Sequence, residues 1–183
     1  MVNDIDLRIS ERCEVIAELV QNMQKMYRSS TTSDYQRNHI QVIIGAGIWY
    51  IPNSDLWSGK ISVEAVKDFH PTHGIDNPKL SKDHQYPRKV AAKTLLDTDW
   101  STYPAPGREI TRLFIEKFGT YNYVTPSENR NLMKYQTVEV FVNPKDAYEK
   151  ANIQLVSVSE NNISLIKKRD KSLIEDLLDT LCS

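Results

Sequence analysis

Hydrophobic positions along this chain recur mostly with a helical period. Between Asp6 and Arg28, Ile9, Cys13, Ile16, Val20 and Met23 follow one another at steps of three and four, with Leu19 and Met26 widening the stripe. Arg8, Glu11, Arg12, Glu14 and Glu18 occupy the other faces, so the pattern predicts a long amphipathic helix whose stripe packs in a core. After the polar stop at Ser29 to Ser33, Ser33 or Asp34 is placed to cap a second helix through Ile40, Val42, Ile43 and Ile44. Gly45-Ala46-Gly47 reads as its end, Ile48 to Ile51 as a buried strand or a continuation of the helix, and Pro52-Asn53-Ser54-Asp55 as a turn.

Farther on, Ser62 reads as an N-cap for a short helix through Val66, and His70 to Ser81, with Pro71, Gly74 and Pro78, reads as loop. Lys89 to Leu96 predicts a helix, and Arg108 to Phe118 another, stopped by Gly119. Tyr121 to Val124 predicts a short strand. Thr125-Pro126-Ser127-Glu128 then has the chemistry of a helix start: a threonine cap, proline at the first helical position and glutamate at the third, each side chain able to bond the other's amide. The alternation Val138, Val140, Val142 suggests a strand, Asn143-Pro144 a helix, and Ile153 to Val158 a strand. One amphipathic helix is expected over roughly Ile163 to Leu181, with Ile166, Leu173, Ile174, Leu177, Leu178 and Leu181 on its apolar side. The class is α+β, mostly helical.

The chain has 183 residues, 40% hydrophobic and 26% charged, which bounds it to one globular domain with a real core. Three stretches are expected within it: a helical part over 1–70, a central part over 79–136, and an α/β extension over 137–183. The formal net charge of −1 does not announce a nucleic-acid binder. The charges are uneven, however. Lys79, Lys82, Arg88, Lys89 and Lys93 face Asp83 alone in their segment, and Lys167-Lys168-Arg169 with Lys171 makes a second basic knot. Cys13 and Cys182 are too few for a disulfide framework or zinc knuckle. With no leader-like N-terminus and no apolar run of membrane-spanning length, a soluble, cytoplasmic protein is the expectation.

Candidate chemistry gathers at Lys82-Asp83-His84-Gln85-Tyr86-Pro87-Arg88-Lys89. An imidazole near neutrality suits a general base, and a carboxylate with an amide oxygen suits a hard cation; Asp83, His84 and Asn129 supply those groups. Neighbours on a regular strand point to opposite faces, so Asp83 and His84 address one centre only if the strand bends there, and Pro87 fits such a break.

Asp83-His84-Gln85-Tyr86-Pro87 resembles the Asp/Glu-His-x-x-Pro opening of the HNH, or His-Me finger, endonucleases. The resemblance covers residues 79–136. It implies a ββα-metal finger: a strand ending at Asp83-His84, a strand over Tyr121 to Val124, and the helix from Thr125, with a helical insertion in place of the family's short glycine-bearing loop. The family's paired Cys-x-x-Cys zinc ligands are absent from this sequence. By this resemblance Asp83 and Asn129 hold Mg²⁺, or another divalent ion such as Mn²⁺, and His84 is the general base. Asn131 and Gln136 compete with Asn129 for the last ligand. Arg88 and Lys89 lie nearest to hold the scissile phosphate, with Lys82 and His73 as further DNA contacts.

The implied activity is Mg²⁺-dependent hydrolysis of double-stranded DNA, in a restriction, homing or phage setting. A homodimer, joined through the terminal amphipathic helices, would bring two centres to two strands. The competing expectation is a non-catalytic helical module that binds DNA or protein through 79–93. Gly47-Ile48-Trp49-Tyr50-Ile51 also superficially resembles a GIY-YIG nuclease opening, but the second half of that motif does not follow. His70-Pro71-Thr72-His73 reads as a loop pair rather than a metal site.

Overall fold

A computed structural model describes residues 4–182, and side chains from 7 to 180. Among the described residues the protein is a mostly helical α+β chain with nine α-helices and one four-stranded mixed sheet. It divides into two compact units that interleave along the chain. Unit 1 runs up to Leu56 and takes in His84–Thr120 and Gln136–Val140; unit 2 takes in Trp57–Asp83, Tyr121–Tyr135 and the chain from Phe141 onward. The passage from unit 2 back to unit 1 falls between Asp83 and His84.

Unit 1 is helical: α1 (Asp4–Arg28), α2 (Asp34–Trp49), α4 (Arg88–Asp97) and α5 (Pro106–Leu113), the last continuing as a wider π-turn over Phe114–Phe118. The expected stripe of α1 is its core face, with Ile9, Cys13, Ile16 and Val20 buried and Met23 partly so. Burial pushes the Cys13 thiol up to about 11, which keeps it neutral and inert. The capping of α2 is reciprocal, between Ser33 and Gln36.

One expectation fails in α2: Gly45-Ala46-Gly47 does not end it. The helix runs on to Trp49, so of the two readings for Ile48 onward the continuation of the helix is the one that forms there. The glycines are contact points: a Cβ on Gly47 would lie 2.4 Å from Ile16 Cδ1, and one on Gly45 3.0 Å from the Arg88 carbonyl. Close approach of α1 and α4 required them there, and the helix accepts their modest propensity cost.

Unit 2 is built on the sheet. Its strands are β1 (Trp57–Ser62), β2 (Ser81–His84, whose last residue belongs to unit 1), β3 (Tyr121–Val124) and β4 (Leu155–Ser157), in the order β2-β3-β1-β4. β1 runs parallel to β3 and antiparallel to β4. The register between Trp57↔Tyr121 and Ile61↔Tyr123 slips, and Gly59, with φ +76°, takes up the extra length as a bulge glycine. The amide after β2, Gln85 N, donates to the carbonyl before β3, Thr120 O, which is how antiparallel neighbours meet.

Helices α3 (Val63–Asp68), α8 (Glu160–Lys167) and α9 (Lys171–Cys182) share a core with Ile61 and Val156. Helices α6 (Pro126–Leu132) and α7 (Pro144–Lys150) supply Leu132, Ala147 and Tyr148 to a second core with Val124. β1 and this sheet order were not anticipated. The strand expected at Val138 to Val142 does not form: Val140 and Val142 are exposed, and the stretch is turn and coil. The single C-terminal helix is in fact two, capped at Ser159 and broken at Arg169, whose φ of 63° ends α8. Ile166 and Ile174 are fully buried on the expected face, while the Leu181 and Cys182 side chains lie outside the described residues.

The helix start at Thr125 forms as the sequence predicts. Thr125 Oγ1 accepts from Glu128 N at 3.1 Å, and Glu128 Oε2 accepts from Thr125 N at 2.8 Å. The same carboxylate oxygen accepts from Ser62 Oγ at 2.6 Å, which ties the cap of α6 to the cap of α3. Thr125→Ala is expected to cost about 1 kcal/mol of unfolding free energy, readable in urea titration.

Candidate functional site

Asp83 and His84 leave β2 in opposite senses, as strand neighbours do. Asp83 is 3% exposed and turns into unit 2. There Tyr148 donates its hydroxyl to Asp83 Oδ2, Asn122 Nδ2 donates to the Tyr148 hydroxyl at 2.8 Å, and Ser58 donates to Asn122 Oδ1. Burial, and then the Asp83 charge, raise the Tyr148 hydroxyl far above its ordinary range, so it remains a donor. This is a satisfied, buried polar chain joining β1, β2, β3 and α7.

His84 turns into unit 1. Its Nε2 lies 2.5 Å from Asn53 Nδ2, and its ring sits 4.4 Å from the Trp49 ring, tilted by 50°. With Asn53 Nδ2 as the donor in this contact, the imidazole's basic lone pair is on Nε2 and its proton on Nδ1. Arg88 stands at the same cleft with its guanidinium carbon 6.0 Å from the Trp49 ring centre. Tyr86, Phe114 and Phe118 complete the walls. The cavity is about 10 Å³, room for about one water, so a large substrate would meet this site from outside. Arg88 is also the first residue of α4, whose Pro87 cap provides no side-chain bond to the helix's leading amides. A helix start with an arginine beside it favours an anion.

The remaining residues singled out by sequence separate between the units. Lys89 belongs to unit 1 and donates to Asn38 Oδ1 at 2.9 Å. Gln136 also belongs to unit 1, half-buried. Asn129 sits half-buried in the first turns of α6, in unit 2. Asn131, also on α6, donates to the Ala151 carbonyl at 3.1 Å and accepts from Lys134 at 3.2 Å. Lys82 lies over the Tyr121 ring. His73 is exposed and stacks on His70 at 4.7 Å; His70 is buried, with Nδ1 accepting from the Thr72 and His73 amides.

A hard divalent ion asks for open oxygen donors and keeps several waters. Asp83 is a carboxylate closed in beneath the Tyr148 hydroxyl, and among the described residues no group of three His, Cys, Asp or Glu side chains converges. As folded, Asp83 and Asn129 do not present such a seat.

Unit 2 also has a larger cavity, about 490 Å³, bordered by Glu64, Lys67, Glu128 and Glu149. Burial raises the nearby Asp68 carboxyl, with Glu64 and Glu128 adding to the effect. Three carboxylates against one lysine repel a phosphate, so size alone does not mark this cavity as the site of phosphoryl chemistry.

Asn53 and Tyr148 are the residues that the sequence did not bring forward; Trp49 came forward only within the GIY-YIG-like stretch, not as a neighbour of His84. Asn53 read as part of a turn, and nothing in its neighbours signals an imidazole 31 positions away. No protein-family profile, no curated protein and no solved structure matches this chain.

Proposed function

We propose that the protein is a phosphodiester hydrolase acting on DNA as an endonuclease, with His84 as general base. The observation that carries this reading is the His84 Nε2 lone pair, set by Asn53 in a cleft with room for one water and with Arg88 at its edge. The order β2, β3, α6 also supports it, because that is the sequence of elements the His-Me resemblance calls for.

In this mechanism a water takes Asn53's place at Nε2, which removes its proton. The resulting hydroxide attacks phosphorus in line with the leaving oxygen. Arg88 and the leading amides of α4 stabilise the charge that builds on the phosphoryl oxygens, and solvent protonates the leaving oxygen. Imidazolium returns its proton to water. The cleft's small volume keeps the attacking water defined, while the polymer stays outside it.

Asn53→Ala removes the hydrogen bond of about 1–1.5 kcal/mol that water must displace from Nε2, and is expected to raise the cleavage rate by up to about 10-fold. Arg88→Ala is expected to raise KM as well as lower kcat, since it touches the phosphate before and during attack. Both are read from nicking rates on supercoiled plasmid. Wild-type rates in both variants would show that this cleft is not the site.

A further inference from the structure

Unit 2 carries a strip of rings and ammonium groups that the His84 cleft does not use. Tyr121 and Tyr123 are two apart on β3 and so point to one face of the sheet, and Trp57 on β1 is the register partner of Tyr121. The Tyr121 and Tyr123 rings meet edge-on at 5.5 Å, and Tyr123 meets Trp57 at 5.6 Å. Lys82 Nζ lies 4.3 Å above the Tyr121 ring, and Lys167 Nζ 4.8 Å above the Tyr123 ring. Both lysines are exposed, Tyr123 and Trp57 are half-buried, and Tyr121, 2% exposed, forms the floor. The opposite face of the same strands carries Asp83 and Asn122, tied into the buried chain with Tyr148.

We propose that this strip binds single-stranded DNA, with phosphates at Lys82 and Lys167 and an unpaired base against Trp57 and Tyr123. The chemistry of the strip selects that occupant. A single strand presents anions and π-faces in alternation, and this face presents cations and rings in alternation. A paired base hides its π-face in the stack, so a duplex engages the lysines and leaves the rings unused. An acidic peptide does the same. Cation–π contact holds each ammonium beside its ring, and among the described residues neither lysine has a carboxylate partner, so its charge remains available to a phosphate. The strip contains no residue of the cleft and stands whether or not His84 acts as a base.

The test is fluorescence anisotropy of the full chain with a short thymidine phosphorothioate strand, which resists cutting. Wild-type protein is expected to bind it about 10-fold more tightly than an abasic strand of the same charge, the effect of one stacked base. The Lys82→Gln/Lys167→Gln double variant is expected to keep the melting temperature and to lower the slope of log affinity against log salt by about 1.4, two phosphates' worth. Equal binding of abasic and thymidine strands overturns the proposal, as does an unchanged salt slope in the double variant. Tighter binding of a duplex, or equal competition by polyglutamate, overturns it too. Should the double variant melt early, the abasic comparison on wild-type protein still decides. None of these readouts involves cleavage, so loss of the strip and loss of the hydrolase reading are distinguishable.

Discussion

Replacing His84 by alanine is expected to slow phosphodiester cleavage by about 10²- to 10⁴-fold, the usual contribution of a positioned general base. The imidazole is half-buried against Trp49, and its removal leaves a hole beside Asn53 rather than a collapsed core. DNA affinity is expected to stay near wild type, because Arg88 and the start of α4 remain. Added imidazole should recover part of the rate by entering that hole. A variant defective through misfolding alone would lose binding and gain nothing from imidazole, so circular dichroism, anisotropy and rescue together separate the two causes.

Asp83→Ala is expected to destabilise the protein by about 3 kcal/mol. Removing the carboxylate breaks a charge-assisted bond from Tyr148 and leaves that hydroxyl short of an acceptor in a buried site. Asp83→Asn keeps an acceptor oxygen and should lose less. Tyr148→Phe should cost at least as much as Asp83→Ala, since the buried carboxylate loses this donor and the Asn122 amide loses this bond. The alternative role for Asp83, as a cation ligand, predicts a different result. Asp83→Asn would then abolish cleavage at unchanged stability, and Mg²⁺ would raise the melting temperature of wild-type protein but not of the variant. Thermal melts of wild type, Asp83→Asn and Tyr148→Phe, with and without Mg²⁺, separate these roles.

Local features of this chain were legible where one segment's chemistry was sufficient. The α1 stripe, the capping box at Thr125 and the strand Tyr121–Val124 depend on spacing and on neighbouring side chains, and all formed. Features set by distant packing were not legible. Gly45 and Gly47 carry the residue type of a helix stop, yet their small size serves the approach of α4 and α1. Val138, Val140 and Val142 alternate as a strand would but pair with no strand among the described residues. β1 was hidden because Ser58, Gly59 and Lys60 break the apolar alternation, and the bulge at Gly59 absorbs that break.

The candidate site divides the same way. The motif pointed to Asp83 and His84, and the fold shows what each side chain joins: one a buried hydroxyl and amide chain, the other an amide-capped cleft. Adjacent residues on a strand point apart, and that rule alone predicts the separation. The identity of the partners, Tyr148 and Asn53, depends on segments 65 and 31 positions away.

Hydrolysis of the DNA backbone with His84 as base is tested most directly by the conversion of supercoiled plasmid to relaxed and linear forms by wild-type protein, in a buffer containing Mg²⁺. His84→Ala protein purified in parallel controls for contaminating nuclease. Wild type is expected to relax the plasmid and the variant almost not at all; no relaxation by either protein, or equal relaxation by both, would contradict His84 as the base of a DNA hydrolase.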